Sequence, residues 1–364
     1  MRSDKKARTK KKLSKFFVKL ITTVAVLIAV VLAALTVLEY KPLDSEIITI
    51  AGTSSAHPSM NDTIKIVTWN IGYAALGDDA TYFADGGKDV RTADEARVEE
   101  NLAAISRYLN EEKPDITLLQ EVDRSSQRSH GINESHYILS NTEGAYTATF
   151  ATNHKMLFIP YPIPPIGKVD SGLLTTSVYD INFSSRIAIP SPFGWPKKTI
   201  SLKRCLMVDR MPINGTDKDL IVINLHLEPY TDEKTHELQM KTIMDIMNEE
   251  YQKGNYVVAG GDFNNTFSSV NLDKFPHDPK VWAPSVIDTA ELGENWSVLM
   301  DSSVPSCRLL NKPFAGADPE TFQFYVIDGF VVSKNIKVQS LRTTQLNFAN
   351  SDHNPVVLEL TLVN

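Results

Sequence analysis

The sequence predicts an α/β protein in which two β-sheets pack together with helices outside, preceded by one apolar N-terminal helix. Three observations carry this. An uncharged apolar run stands at residues 20–38, short β-branched runs recur from residue 64 onward, and two helical patterns each lead into such a run. The 364 residues are 42% hydrophobic and 22% charged, an ordinary globular composition.

The N-terminal segment differs from the rest. Residues 1–19 hold nine Lys or Arg against Asp4 alone, a charge of +8. The chain has 37 basic and 44 acidic residues, so 28 and 43 remain beyond residue 19, a net of −15. From Leu20 to Leu38 nineteen residues carry no charge, close to the ~20 apolar residues that span a bilayer. A cleaved signal peptide is the rival, but its apolar region is usually ~7–15 residues and ends in a small-x-small site. Here the run ends Thr36-Val37-Leu38-Glu39. An uncleaved anchor over 20–40 is the better reading. It places residues 1–19 in the cytoplasm and the rest outside.

Residues 41–62 are polar, small and Pro-containing, and read as a linker. Residues 63–364 contain no second linker, repeat or low-complexity tract and read as one large domain. Strands are expected at Ile64–Trp69, Ile116–Leu119, Leu220–Ile223, Tyr256–Ala259, Tyr325–Ile327 with Phe330–Val332, and Pro355–Leu362. A helix is expected from Thr92 to Glu112, with Ala96, Leu102, Ile105 and Leu109 at helical spacing and Pro114 beyond its end. A second runs from Thr231 to Glu250, with Leu238, Met240, Ile243, Met244 and Met247 spaced alike and Gly254 after it. Cys205 and Cys307 are too few for a disulfide framework, and neither sits near a motif.

Each strand carries a polar residue within it or just past its end. These are Asn70, Glu121, His226 (alternating with Asn224), Asp262 with Asn264, Asp328, and the pair Asp352-His353. Singly they mean little. Asp262 or Glu121 alone reads as a loop residue or cap, and His226 alone as a core histidine. Asp328 is harder to dismiss, because a carboxylate amid Ile327 and Phe330-Val331-Val332 is costly to bury without an imidazolium or metal partner. Together, at the same end of successive strands, they read as a site.

The residue types select the chemistry. Several carboxylates with an Asn amide make a hard, oxygen-rich site suited to Mg²⁺ or Mn²⁺ rather than Zn²⁺. There is no Cys/His cluster, no GxxxxGK[ST] loop and no GxSxG elbow. A metal, a His–Asp pair and amide donors are what hydrolysis of a phosphoester needs.

The segments TWNIG (68–72), LLQEVD (118–123), INLHLE (223–228), GGDFNN (260–265), VIDGFVVS (326–333) and SDHNPV (351–356) carry a resemblance. In this order they resemble the endonuclease/exonuclease/phosphatase superfamily, with the deoxyribonuclease I-like fold, over nearly all of residues 63–364. The resemblance implies a four-layered α/β sandwich of two packed mixed sheets flanked by helices. It implies a metal site (Mg²⁺ or Mn²⁺) with Glu121 as main ligand, Asn70 beside it and Asp352 closing it. His353 would be the base, oriented by Asp328. Asp262 would position or deprotonate the water or handle the leaving-group proton, and Asn264 and His226 would donate to the phosphate. Gly260-Gly261 would let backbone approach the site closely.

The substrate is less legible. A net of −15 beyond residue 19 counts against strong binding of a nucleic-acid backbone. Residues 156–169 and 189–198 are rich in Pro and large apolar residues, and proline excludes regular helix and central strand. They either fold back as core or stay exposed as an interface facing the membrane, where Lys197-Lys198 suit headgroups. Arg204 reads equally as a surface cation or a phosphate contact. Arg124, Arg128, Ser129 and His130, just after Glu121, read either as part of the substrate pocket or, more simply, as a polar surface loop. The expectation is a phosphodiesterase or phosphatase acting on lipid headgroups or small phosphate esters outside the cytoplasm. The alternative is an extracytoplasmic nuclease. An anchored binding protein without turnover would leave all eight residues idle.

Overall fold

The computed structural model describes residues 2–229, 232–276 and 278–363. Two compact units are distinct. One groups the N-terminal helix with Phe193–Ser201, and the other comprises Lys41–Pro192 and Leu202–Asn364.

In the first unit a helix α1 (Arg2–Leu38) runs through both the basic and the apolar segments. Its Arg8–Leu38 portion is long and apolar enough to cross a membrane, and none of its apolar window is buried by the chain. The indole Nε1 of Trp195 donates to the Thr36 hydroxyl at 3.1 Å, and the Lys197 ammonium stands 3.8 Å over the Phe193 ring.

The second unit is built on two seven-stranded mixed sheets. Its strands begin with β1 (Ser45–Ile47), β2 (Ala51–Gly52), β3 (Thr63–Asn70), β4 (Ile116–Asp123), β5 (Thr147–Ile159) and β6 (Gly167–Ser177). There follow β7 (Phe183–Ala188), β8 (Cys205–Pro212), β9 (Asp219–His226), β10 (Tyr256–Asp262), β11 (Asn265–Phe267) and β12 (Ser285–Ile287). The last are β13 (Trp296–Leu299), β14 (Cys307–Arg308), β15 (Phe324–Tyr325), β16 (Asp328–Ser333), β17 (Ile336–Thr343) and β18 (Val356–Leu362). One sheet has the order β1-β7-β8-β9-β10-β16-β13 and the other β17-β18-β3-β4-β6-β5-β2, with β11-β12 and β14-β15 as separate pairs.

Two helices make the parallel crossovers. The helix α2 (Glu95–Glu112) joins β3 to β4, and its neighbour α3 (Glu134–Asn141) follows β4. The helix α4 (Glu233–Gln252) joins β9 to β10. Alternation along the strands sorts the layers. Ile64, Ile66 and Leu118 of one sheet face Leu220, Val222, Val258 and Phe330 of the other. The intervening Val67, Trp69 and Leu119 turn outward onto Val98, Leu102, Ile105 and Leu109 of α2. Ile221, Ile223, Val257 and Ala259 likewise receive Ile243 and Met247 of α4. Helix, sheet, sheet, helix is the expected four-layered sandwich.

Several local expectations change. The expected first turn of α2 is lost because Asp94 caps the helix, accepting from Arg97 N–H at 2.9 Å, and Lys113 ends it with φ 52° before Pro114. Thr231 lies outside the described residues, and α4 begins after its cap Asp232. Residues 41–62 are not a free linker throughout. Their β1 pairs with β7 and their β2 with β5, because both sheets have open edges there. Asp328 does not interrupt a strand; it opens β16, while Tyr325 belongs to a separate pair with Cys307. Met156–Ile159, expected to be irregular, continue β5 up to Pro160. Both cysteines are free and buried.

Candidate active site

Strand ends from the two sheets meet at a cleft of ≈ 290 Å³. Asn70 ends β3, His226 ends β9 and Asp262 ends β10. In register, Asp262 stands between His226 of β9 and Asp328 of β16. Gly261 makes this row possible, since a Cβ there, at φ 151°, would lie 2.0 Å from the Leu225 carbonyl oxygen. Glu121 sits where β4 slips register against β6, with φ 55°. A left-handed glutamate in a strand bulge is strained, and such strain concentrates at functional sites. Asp352 and His353 come from the loop before β18.

Seven of the eight expected residues line the cleft, namely Asn70, Glu121, His226, Asp262, Asn264, Asp352 and His353. Asp328 lies behind them, buried. Its Oδ2 faces His353 Nδ1 at 2.8 Å and accepts from the Ser306 hydroxyl at 2.7 Å. On the other side of the ring, His353 Nε2 stands 3.8 Å from Asp262 Oδ2. Asn70 Nδ2 donates to Asp262 Oδ2 at 3.0 Å and to Glu121 Oε1 at 3.4 Å, while its Oδ1 accepts from Gly72 N–H. His226 Nε2 lies 3.4 Å from Asp262 Oδ2 and 4.0 Å from Glu121 Oε1. Asn264 donates its backbone N–H to Asp262 Oδ1 at 2.8 Å and its side-chain amide to the Leu227 carbonyl.

A family model for the endonuclease/exonuclease/phosphatase family matches residues 67–353, from β3 through His353. The chain belongs to that family. Solved structures agree on the fold. An endonuclease/exonuclease/phosphatase from Beutenbergia cavernae superposes with TM-score 0.54 at 17% identity, covering 83% of this chain and 72% of its own. One from Bacteroides vulgatus gives 0.51 at 15% identity over 83% and 99%. A family protein from Leptotrichia buccalis gives 0.51 at 16% identity over 82% and 100%. No curated protein matches the sequence.

The endonuclease/exonuclease/phosphatase cleft holds its acids under electrostatic pressure. Burial, reinforced by Asp328, pushes the Asp262 carboxyl up to about 7. Burial also raises Asp352 to about 7, with Glu121 adding to it. Burial alone would lower the His353 imidazole, but Asp328 and neighbouring acids hold it well above its usual range. His226, buried and facing Arg204 and His353, is pushed well below its own. Crowded carboxylates that repel one another are the setting a divalent cation relieves. Donor atoms of Asp262, Asp328 and His353 all lie within 4.8 Å of one another, as do those of Cys307, Asp352 and His353. The family is generally dependent on a divalent metal, and these two groups, three carboxylates with His353 and the Cys307 thiol, could bind one; Glu121 and Asn70 belong to neither group and reach the cleft beside Asp352.

The sequence reading missed supporting residues. Ser306 bonds Asp328, and Ser351 fixes the Asp352-His353 loop by donating to the Asn70 carbonyl at 2.7 Å. Arg308 lines the cleft, donates its backbone N–H to the Asp352 carbonyl at 3.0 Å, and reaches the Gly77 carbonyl with its guanidinium. Ser351 opens the SDHNPV segment, but no motif marked Ser306 or Arg308. Arg128 is no surface residue. It lines the cleft, pairs with buried Asp123 through Nε at 3.1 Å and Nη2 at 3.0 Å, and stacks 3.6 Å over the Tyr73 ring. Ser129 is buried and also bonds Asp123, Arg124 lies over the Phe150 ring, and His130 is exposed. Arg204 is buried at the cleft wall, bonded to Glu228 and to the His226 carbonyl, so it is not a surface cation.

Proposed function

We propose that this chain is a membrane-anchored, metal-dependent phosphoester hydrolase, and that its substrates are lipid-headgroup or small phosphate esters outside the cytoplasm. The observation that carries the hydrolytic reading is the relay Asp328–His353–Asp262 beside Glu121 and Asp352. Asp328 orients His353 through Nδ1 and leaves Nε2 facing the cleft, and the ring would act as a base once a bound cation offsets the acids that keep it protonated. Asp262 positions the attacking water or handles the leaving-group proton, and Asn70 and Asn264 hold its carboxylate in place. Glu121 and Asp352, with Asn70 beside them, would hold a divalent cation, Mg²⁺ or Mn²⁺, which would supply neutralisation of the phosphate oxygens. His226, kept neutral by burial, and Asn264 donate to the phosphate as charge builds on it.

Two observations favour lipid or small esters over nucleic acid. The net of −15 beyond residue 19 opposes a polyphosphate backbone. The helix over Arg8–Leu38, with its basic N-terminal flank, supports an anchor holding the domain at a membrane. The test is the full-length protein with Mg²⁺ against a vesicle-borne phosphodiester, bis(para-nitrophenyl) phosphate, a phosphomonoester and plasmid. Hydrolysis of the lipid or small esters is expected. Plasmid cleavage alone would overturn the substrate reading in favour of a nuclease.

A further inference from the structure

The hairpin β5–β6 has two parts with different chemistry. Along its strands Asn153, His154 and Ser171 line the cleft, and Ile166 does so from the turn. At its tip Leu157, Phe158, Tyr161 and Ile163 are 63%, 50%, 68% and 93% exposed. Met156 and Ile159, between them, are core. Exposed large side chains clustered on one protrusion are not the scattered singles of an ordinary surface.

We infer that this tip inserts into the lipid surface and that the same hairpin walls the path from that surface to the cleft. Three observations commit the occupant to a bilayer rather than a protein. First, four of the six residues 160–165 are proline, so the turn offers backbone N–H groups only at Tyr161 and Ile163. Such a turn has few amide donors but keeps its carbonyl acceptors, so its backbone suits the hydrated headgroup level, from which the apolar side chains reach inward. Second, Lys155 and Lys168 stand exposed just behind the apolar tip, where cations meet anionic headgroups. Third, the chain carries its own apolar helix, and Trp195 bonds Thr36 at the end of its uncharged run, the level at which Trp concentrates in membranes. Only residues 39–44 separate that helix from β1.

The tip also touches the cleft rim. The Tyr161 ring meets Phe83 edge-on at 6.4 Å between centroids, and the neighbouring Tyr82, Ala84 and Asp85 line the cleft. A headgroup drawn up beside the hairpin therefore has a polar path past His154 and Asn153. This deepens the lipid reading above and rests on it for the substrate, though the surface itself is tested separately.

The test places an environment-sensitive fluorophore at Ile163→Cys in the full-length protein, reconstituted in phosphatidylcholine vesicles with a minor share of phosphatidylglycerol. Cys205 and Cys307 are buried, so the label reports the tip. Asp217→Cys, 85% exposed in a remote turn, is the control. At residue 163 the emission shifts to shorter wavelength and is quenched by shallow nitroxide lipids; at 217 neither happens. Water-like emission at 163 overturns the inference. So does a shift that grows with protein density at constant lipid, which assigns the tip to a second copy. In parallel, Phe158→Ser/Ile163→Ser loses roughly tenfold or more of its rate on the vesicle-borne phosphodiester. It keeps the wild-type rate on bis(para-nitrophenyl) phosphate. Equal loss on both substrates overturns the path to the cleft. Insertion without hydrolysis of any ester sinks the hydrolase reading and leaves the membrane surface standing.

Discussion

His353 Nδ1 and Asp328 Oδ2 stand 2.8 Å apart, both residues buried, on segments 25 positions apart in the chain. The same carboxylate oxygen accepts from Ser306, and the far nitrogen of the ring faces Asp262. A carboxylate so placed does one thing well: it fixes which nitrogen of the histidine carries the proton. Asp328→Asn is expected to keep the fold, because the amide oxygen can still accept from Ser306. It should lower kcat on a soluble phosphodiester by about 10²–10⁴-fold. A thermal melt beside the rate measurement separates the two effects, and an unchanged kcat would remove Asp328 from the account.

Glu121 carries its carboxylate into the cleft on a left-handed backbone beside Asp352. Glu121→Gln keeps shape and hydrogen bonding but removes half the charge offered to a cation. The Mg²⁺ concentration for half-maximal activity is expected to rise by roughly 10–100-fold or more. Chelation should abolish wild-type activity and added Mg²⁺ restore it. A metal titration that Glu121→Gln does not move would place the cation elsewhere.

Asp123 is wholly buried and holds Arg128 with two bonds. Asp123→Ala leaves that largely buried guanidinium at the cleft wall without its carboxylate. Removing one partner of such a pair costs about 3–5 kcal/mol, which thermal unfolding would register as a large fall in Tm. Asp123→Ala/Arg128→Met should recover much of it. Recovery is the informative result, since it separates the unpaired charge from simple loss of packing.

Asp209 lies buried between the sheets, accepting from the Thr149 hydroxyl at 3.1 Å, and burial raises its carboxyl from 3.8 to about 6. Below pH ~4 both folded and unfolded chains hold the proton. Between pH ~4 and ~6 only the folded chain holds it, so stability falls as pH rises through this window and stays lower above it. The loss is on the order of 2–3 kcal/mol at neutral pH. Asp209→Asn should flatten the slope and raise Tm at pH 7 relative to wild type, with little change at pH 4. A parallel pair of Tm–pH curves would contradict it.

Much of this molecule is legible in the order of its residues, and the exceptions have physical reasons. The runs Ile64–Trp69 and Val257–Ala259 carry apolar residues on both faces because each strand is covered on both sides, and they read plainly as strands. The strands β5 and β6 escaped notice because buried Thr147, Thr149, Thr175, Thr176 and Ser177 break the apolar pattern. Their polar side chains are reconciled with burial largely by partners far away in sequence, such as Asp209 for Thr149. The eight polar residues at strand ends stood out because their types are odd there. Arg128, Ser306 and Arg308 did not, since an arginine or serine in a loop looks the same whether it is solvated or folded inward. The segment 156–169, the end of β5 with its turn into β6, is divided residue by residue, with Met156 and Ile159 inward and Leu157, Phe158, Tyr161 and Ile163 outward. Composition alone gives no sign of that division.

The role of His353 as base of a metal-dependent hydrolysis is tested by the single-turnover rate of His353→Ala on bis(para-nitrophenyl) phosphate at saturating Mg²⁺, with folding checked by thermal melt. A folded protein whose rate falls by about 10²–10⁴-fold is expected. A folded variant that turns over at the wild-type rate would contradict it.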